Sequence, residues 1–147
     1  MRAHVFVAGV TEGLVVRLSQ PLSFWGGFDS ATGTVIDRSH PDRGAVIAGR
    51  ILVMPSGRGS SSSASVLAEA LRRGTGPCGI TLEQADSILG VGALVASELY
   101  GVVCPIVVAP STPYQTGDRL RISTCDDAGA EIEPIQDTPT HRSAMQD

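Results

Sequence analysis

The apolar positions of this chain fall into short, Val-rich runs divided by polar turns, and only twice do they stretch into a helical period. "HVFVAG" (4–9) and "EGLVVRL" (12–18) predict two successive strands. "RILVMP" (50–55) is a buried-strand pattern that stops at Pro55, and "CGIT" (78–81) is a further short strand. Between them, residues 63–73 place Val66, Leu67, Ala70 and Leu71 on one narrow helical stripe, which ends at Gly74. "EQADSILGVGALVASELYG" (83–101) contains a second helix, and "VVCPIVVA" (102–109) returns to strand. "DRLRIST" and "AEIEPI" predict closing strands joined through the turn "DDAG". Strands alternating with two helices make a mixed α/β domain over residues 1–135. From Gln136 the polar "QDTPTHRSAMQD" has no periodicity and reads as a flexible C-terminal tail, 136–147.

One stretch breaks this rhythm. Residues 19–44 are dense in Gly, Pro, Asp and Ser, and a loop of that length inside a small domain is either functional or disordered. Disorder fits poorly, because Phe24, Trp25 and Phe28, half of the aromatic residues of the chain, are concentrated in it. The rings either pack over one end of the core or form a lid or subunit interface, with Asp29 and Asp37 beside them.

Composition narrows the function. The 147 residues suffice for one domain with a core, and the content is globular at 42% hydrophobic and 18% charged. A net charge of −4 with no basic run argues against nucleic acid as a partner. No apolar run reaches the length of a membrane helix, since the longest is broken by Glu98, several glycines and Pro105. "MRAHVFVAG" reads as a first strand rather than a signal peptide, so the expected location is cytoplasmic. Cys78, Cys104 and Cys125 have no CxxC spacing and are expected as buried, reduced thiols, while His4, His40 and His141 are scattered. The chain alone is therefore expected to bind no metal.

The candidate chemistry sits in "MPSGRGSSSSASVLAEAL" (54–71), a strand, a Gly-rich turn and then a helix. The first N–H groups of a helix lack partners within it and carry the positive end of its dipole, which makes an anion site. Gly57 and Gly59 allow a sharp turn and close approach of a ligand, and Arg58 adds a forked cation suited to carboxylate. Plain capping by serine explains the same residues equally well at this point. The turn is neither a P-loop, since the chain has no lysine, nor a GxSxG elbow, and no Ser-His-Asp triad context is recognisable.

Three stretches together carry a resemblance: "PLSFWGGFDSATGTVIDRSHPDRG" (21–44), "GRILVMPSGRGSSSSASVLAEAL" (49–71) and "GVGALVASELYGVVCPIVV" (90–108). They are similar to the swivel domain of the aconitase X family, over roughly Gly9 to Ile122. The resemblance implies an α/β fold of the swivelling β/β/α kind, aconitase swivel-like, with two helices against a barrel-like or layered sheet. It also implies the stand-alone small subunit of a hydro-lyase, active with an aconitase X-type large subunit that carries an iron–sulfur cluster or other metal centre. Two dehydrations are known in that family, of cis-3-hydroxy-L-proline to 1-pyrroline-2-carboxylate and of phosphomevalonate. The arginine-rich, lysine-free composition suggests a bacterium and so the hydroxyproline as the small hydroxy-acid substrate.

By the resemblance, the catalytic base is the first serine after the Gly-x-Gly turn, Ser60. Gly57, Arg58, Gly59 and Ser61 would then shape the turn and orient the substrate carboxylate. The chain departs from the family pattern at Ser63 and Ala64, where relatives carry Gly-Ser, which puts the floor of the pocket in question. A module that binds a partner or small anion through the same turn without catalysis is the alternative from another class.

Overall fold

The structure is a computed structural model describing residues 1–58, 61–124 and 129–135. Nine short strands and three helical segments follow one another in the order β1 (Arg2–Val7), β2 (Val10–Arg17), α1 (Phe24–Gly27), β3 (Phe28–Asp29), β4 (Thr34–Val35), β5 (Ile51–Met54), α2 (Ser62–Arg73), β6 (Gly79–Leu82), α3 (Ser87–Tyr100), β7 (Ile106–Val108), β8 (Arg119–Thr124) and β9 (Gly129–Pro134). Every strand and both long helices expected from the apolar pattern are present. The tail expected from Gln136 and the first three residues of the "DDAG" turn lie outside the described residues.

β5 explains the architecture. All four of its residues are buried, as in a strand covered on both faces. Period two sends Ile51 and Val53 to one side and Leu52 and Met54 to the other. Ile51 and Val53 join Val15, Val107, Leu120, Ile122 and Ile132 in a cluster inside a closed barrel of order β1-β7-β6-β5-β2-β8-β9. Leu52 and Met54 join Ile80, Leu82, Leu67, Leu71, Leu89 and Ala93 between the barrel wall and the helices. This is the swivelling α/β arrangement of a barrel carrying two packed helices.

β5, β6 and β7 run parallel, at registers Leu52↔Ile80 and Thr81↔Val107, because α2 and α3 serve as their crossovers. Both helices therefore begin at the same end of the barrel, beyond the carboxyl ends of β5 and β6, where open α/β sheets place their sites. Gly74 and Gly101 end the two helices in the left-handed conformation, each N–H returning to carbonyls of the last turn.

Cys104 is fully buried and Cys78 partly so, both as free thiols, and burial pushes both pKa values up. Cys125 lies outside the described residues. Among the described residues no helix is long and apolar enough to cross a membrane.

Candidate active site

The turn after β5 is held from both sides. Leu22 forms an isolated parallel bridge with Gly57, joining the start of the aromatic loop to the serine turn. On the other side stands Asp86, the cap of α3, whose Oδ1 accepts from the N–H groups of Ile88 (2.9 Å) and Leu89 (3.3 Å). A Cβ on Gly57 would fall on the Asp86 carboxylate and meet Leu89 Cδ1 at 2.9 Å. Gly57 does not adopt the positive φ found at Gly26 and Gly33. Its glycine is demanded by close packing, a different reason from the sharp turning expected of it. Pro55 fixes the strand end, its carbonyl accepting from Glu83 and Gln84 N–H at 3.0 and 3.1 Å.

The residue that flanks the start of helix α2 is Ser61, and its side chain does not cap the helix. Ser61 already has helical angles (φ −59°, ψ −21°) and makes no side-chain cap bond, and the first turn of α2 contains no acidic residue. Ser61 and Arg58 are both exposed at this end. Gly59 and Ser60 lie outside the described residues, so the site is bounded by its neighbours on either side.

The family departures at Ser63 and Ala64 turn inward. Ser63 is buried, and its Oγ accepts from the Trp25 N–H at 3.3 Å, tying the aromatic loop to the first turn of α2. The Ala64 backbone lies against α3, where a Cβ on Gly92 would meet the Ala64 carbonyl at 2.7 Å. Both residues serve helix and loop packing, and neither side chain is one of the exposed groups of the turn.

The loop's rings divide their work. Phe24 and Phe28 are buried with centroids 4.9 Å apart, whereas Trp25 is 59% exposed. Trp25 has a non-helical backbone (φ −82°, ψ 111°) and Gly26 follows at φ +84°, so the chain kinks here. Phe24, Trp25, Phe28, Ile36 and Val66 line a cleft of about 290 Å³ between the aromatic loop and α2. Asp37 approaches the same turn: it packs on Gly27 and feels the charge of Arg58. Its carboxyl is held below the ordinary range chiefly by the Ser39 hydroxyl (2.8 Å) and the Ser39 N–H (2.9 Å), with His40 and Arg58 adding to the effect.

Residue patterns alone did not single out Asp86 or the Ser63–Trp25 tie. An Asp directly before "SILGVGAL" is a helix-start signal that could have found the first. Among the described residues no three His, Cys, Asp or Glu side chains gather as a metal site.

A profile of the aconitase X swivel domain matches residues 1–132. The chain belongs to that family. The swivel domain is 46% identical over 103 residues to the cis-3-hydroxy-L-proline dehydratase of Pseudomonas aeruginosa, a match covering 70% of this chain and 18% of that protein. It thus spans less than a fifth of that relative's length. It is 40% identical over 136 residues to the phosphomevalonate dehydratase small subunit of Pyrococcus furiosus, covering 92% of this chain and 95% of that one. Its fold superposes on the aconitase X of Thermococcus kodakaraensis with a TM-score of 0.77 at 32% identity, over 90% of this chain and 98% of that chain.

Proposed function

We propose that this swivel domain is the small subunit of a cytoplasmic aconitase X-type hydro-lyase that works only with its large subunit and removes water from cis-3-hydroxy-L-proline to give 1-pyrroline-2-carboxylate. The observation that carries this reading is the 46% identity to a dehydratase of that substrate. Loss of water from a 3-hydroxy acid requires a base for the proton next to the carboxylate and an acidic partner for the departing hydroxide. Any metal centre is assigned to the large subunit.

Ser60 is the proposed base. A serine hydroxyl is far too weak a base in water, and it needs a setting that favours its alkoxide. The start of α2 supplies one: a helix of twelve residues directs its dipole at the turn, and Ser61 leaves the first N–H groups uncapped by its side chain. Exposed Arg58 stands beside it as a cation. Gly57, Gly59 and Ser61 complete the proposed cradle for the substrate carboxylate. In this reading the large subunit closes over the cradle and excludes water.

The second reading, phosphomevalonate as substrate, is favoured by the near end-to-end match to a small subunit of that dehydratase. It requires more cations than Arg58 brings to this turn, which the partner would supply.

The deciding experiment co-expresses the chain with the large-subunit protein of the same genome and assays both substrates, with Ser60→Ala alongside. Turnover of cis-3-hydroxy-L-proline that falls by about 10²–10⁴-fold in an assembled Ser60→Ala complex is the expected result. Turnover of phosphomevalonate alone selects the second reading. An active complex indifferent to Ser60→Ala removes the base and leaves this chain as a binding module.

A further inference from the structure

Helix α3 is built inside out. Its inward face carries Gly90, Gly92, Ala93 and Ala96, small residues that let it lie close to α2 and to β1, where the Phe6 ring fills the space a Gly90 side chain would take. Leu89 is buried at its start, but most of its larger apolar residues beyond the first turn point to solvent. Val91, Leu94, Val95 and Leu99 recur at helical spacing on the outer face, with Leu94 53% and Leu99 68% exposed. Val103, three residues past the helix, and Phe6, beside Gly90, are further exposed apolar residues at this helix. A helix facing water is expected to show the opposite arrangement.

We propose that this outer face of α3 is the surface on which the large subunit docks, an inference that rests on the function proposed above. Area supports a stable contact. These six side chains present on the order of 500 Å² of apolar surface, near the top of what one patch on a monomer shows and more than half of the ~800 Å² each partner of a standard interface buries. Identity of the partner follows from the relatives. In the Pseudomonas aeruginosa dehydratase a domain like this one is less than a fifth of the protein, so four-fifths of that chain remains to cover it. Position allows it: α3 begins at Asp86, which packs against Gly57, and the stripe runs from the second turn onward, so a body closing on the serine turn and reaching along α3 would cover it.

Other occupants fit less well. A lipid surface is met by helices with Lys or Arg along a polar face, and α3 has Glu98 as its charged residue and no basic one. The chain's own last residues, "QDTPTHRSAMQD", offer little apolar matter to set against the stripe.

The test places Leu94→Glu and Leu99→Glu together in the full chain, with Arg73→Glu in the exposed last turn of α2, at the opposite end from the serine turn, as a control. Affinity for the purified large-subunit protein is read by calorimetry, and the melting temperature of the chain alone checks folding. The expected result is binding weakened on the order of 100-fold by the double variant, since it puts two charges into an apolar contact, with melting and the control unchanged. Wild-type binding that survives the double variant overturns the docking face and leaves the function standing. A wild-type chain that binds no large subunit overturns both. If instead the chain alone forms a dimer that the double variant dissolves, while large-subunit binding persists, the face joins two copies of this chain and the proposal is wrong.

Discussion

No side chain fits between the Cα of Gly57 and the carboxylate of Asp86, and this contact sets the spacing between the serine turn and the start of α3. Because the same carboxylate caps α3, it cannot move aside without releasing the Ile88 and Leu89 N–H groups. Gly57→Ala is therefore expected to destabilise the chain by about 1–3 kcal/mol through overpacking. Asp86→Ser keeps a short capping oxygen and frees the space, so the double variant should lose less than the sum of the single ones. Urea midpoints of the four proteins measure this; strictly additive losses would mean that the two residues do not share the contact.

Phe24 anchors the aromatic loop. It is completely buried against Phe28 and the cluster between barrel and helices. Phe24→Ala is expected to cost about 3–5 kcal/mol, as removing a buried ring generally does. A shift in the denaturation midpoint of less than a third of that would show that the loop collapses to fill the cavity.

Trp25 is the chain's single tryptophan and stands exposed on that loop, a consequence of the kink at Gly26. Its fluorescence in the isolated chain should be water-like and readily quenched by acrylamide. If the loop faces the large subunit, as its composition leads us to expect, adding that protein should shift the emission to the blue and protect it. Unchanged quenching in an assembled complex would place the loop on an outer surface.

Asp37 offers a pH readout. Its carboxyl pKa is lowered in the fold, chiefly by Ser39, so it contributes stability that is complete above the ordinary carboxylate range. That contribution is lost as the pH falls through the lowered value. Ser39→Ala removes the largest cause, the hydroxyl bond, while the residue 39 N–H bond stays, and should move the Asp37 titration, followed by carboxyl carbon NMR, toward higher pH. No movement would show that the backbone N–H with the charges of His40 and Arg58 holds the carboxyl without the hydroxyl.

The strands and helices were readable because their cause is local. Period two in "RILVMP", the stripe Val66–Leu71, and Gly74 and Gly101 as helix stops each act within a few residues. The loop at 21–44 was readable only as unusual. Its two-stranded ribbon, Phe28↔Val35 and Asp29↔Thr34, and its division into buried Phe24 and exposed Trp25 depend on what the loop folds against.

The sequence by itself determined the α/β character, the order of elements, the placing of a serine-rich turn at a helix start and, through long motifs, the family. Tertiary structure decided what each residue of that turn answers to. Gly57 meets an aspartate from another element, Ser63 takes the N–H of Trp25 from a loop some forty positions earlier, and Ala64 lies against Gly92 of α3. The sequence showed that 83–101 holds a helix, and only packing showed that its small side chains face inward with Leu89 while Leu94 and Leu99 face out. Period and turn chemistry are short-range effects written in neighbouring letters, whereas close approach and exposure are set by partners distant in the chain.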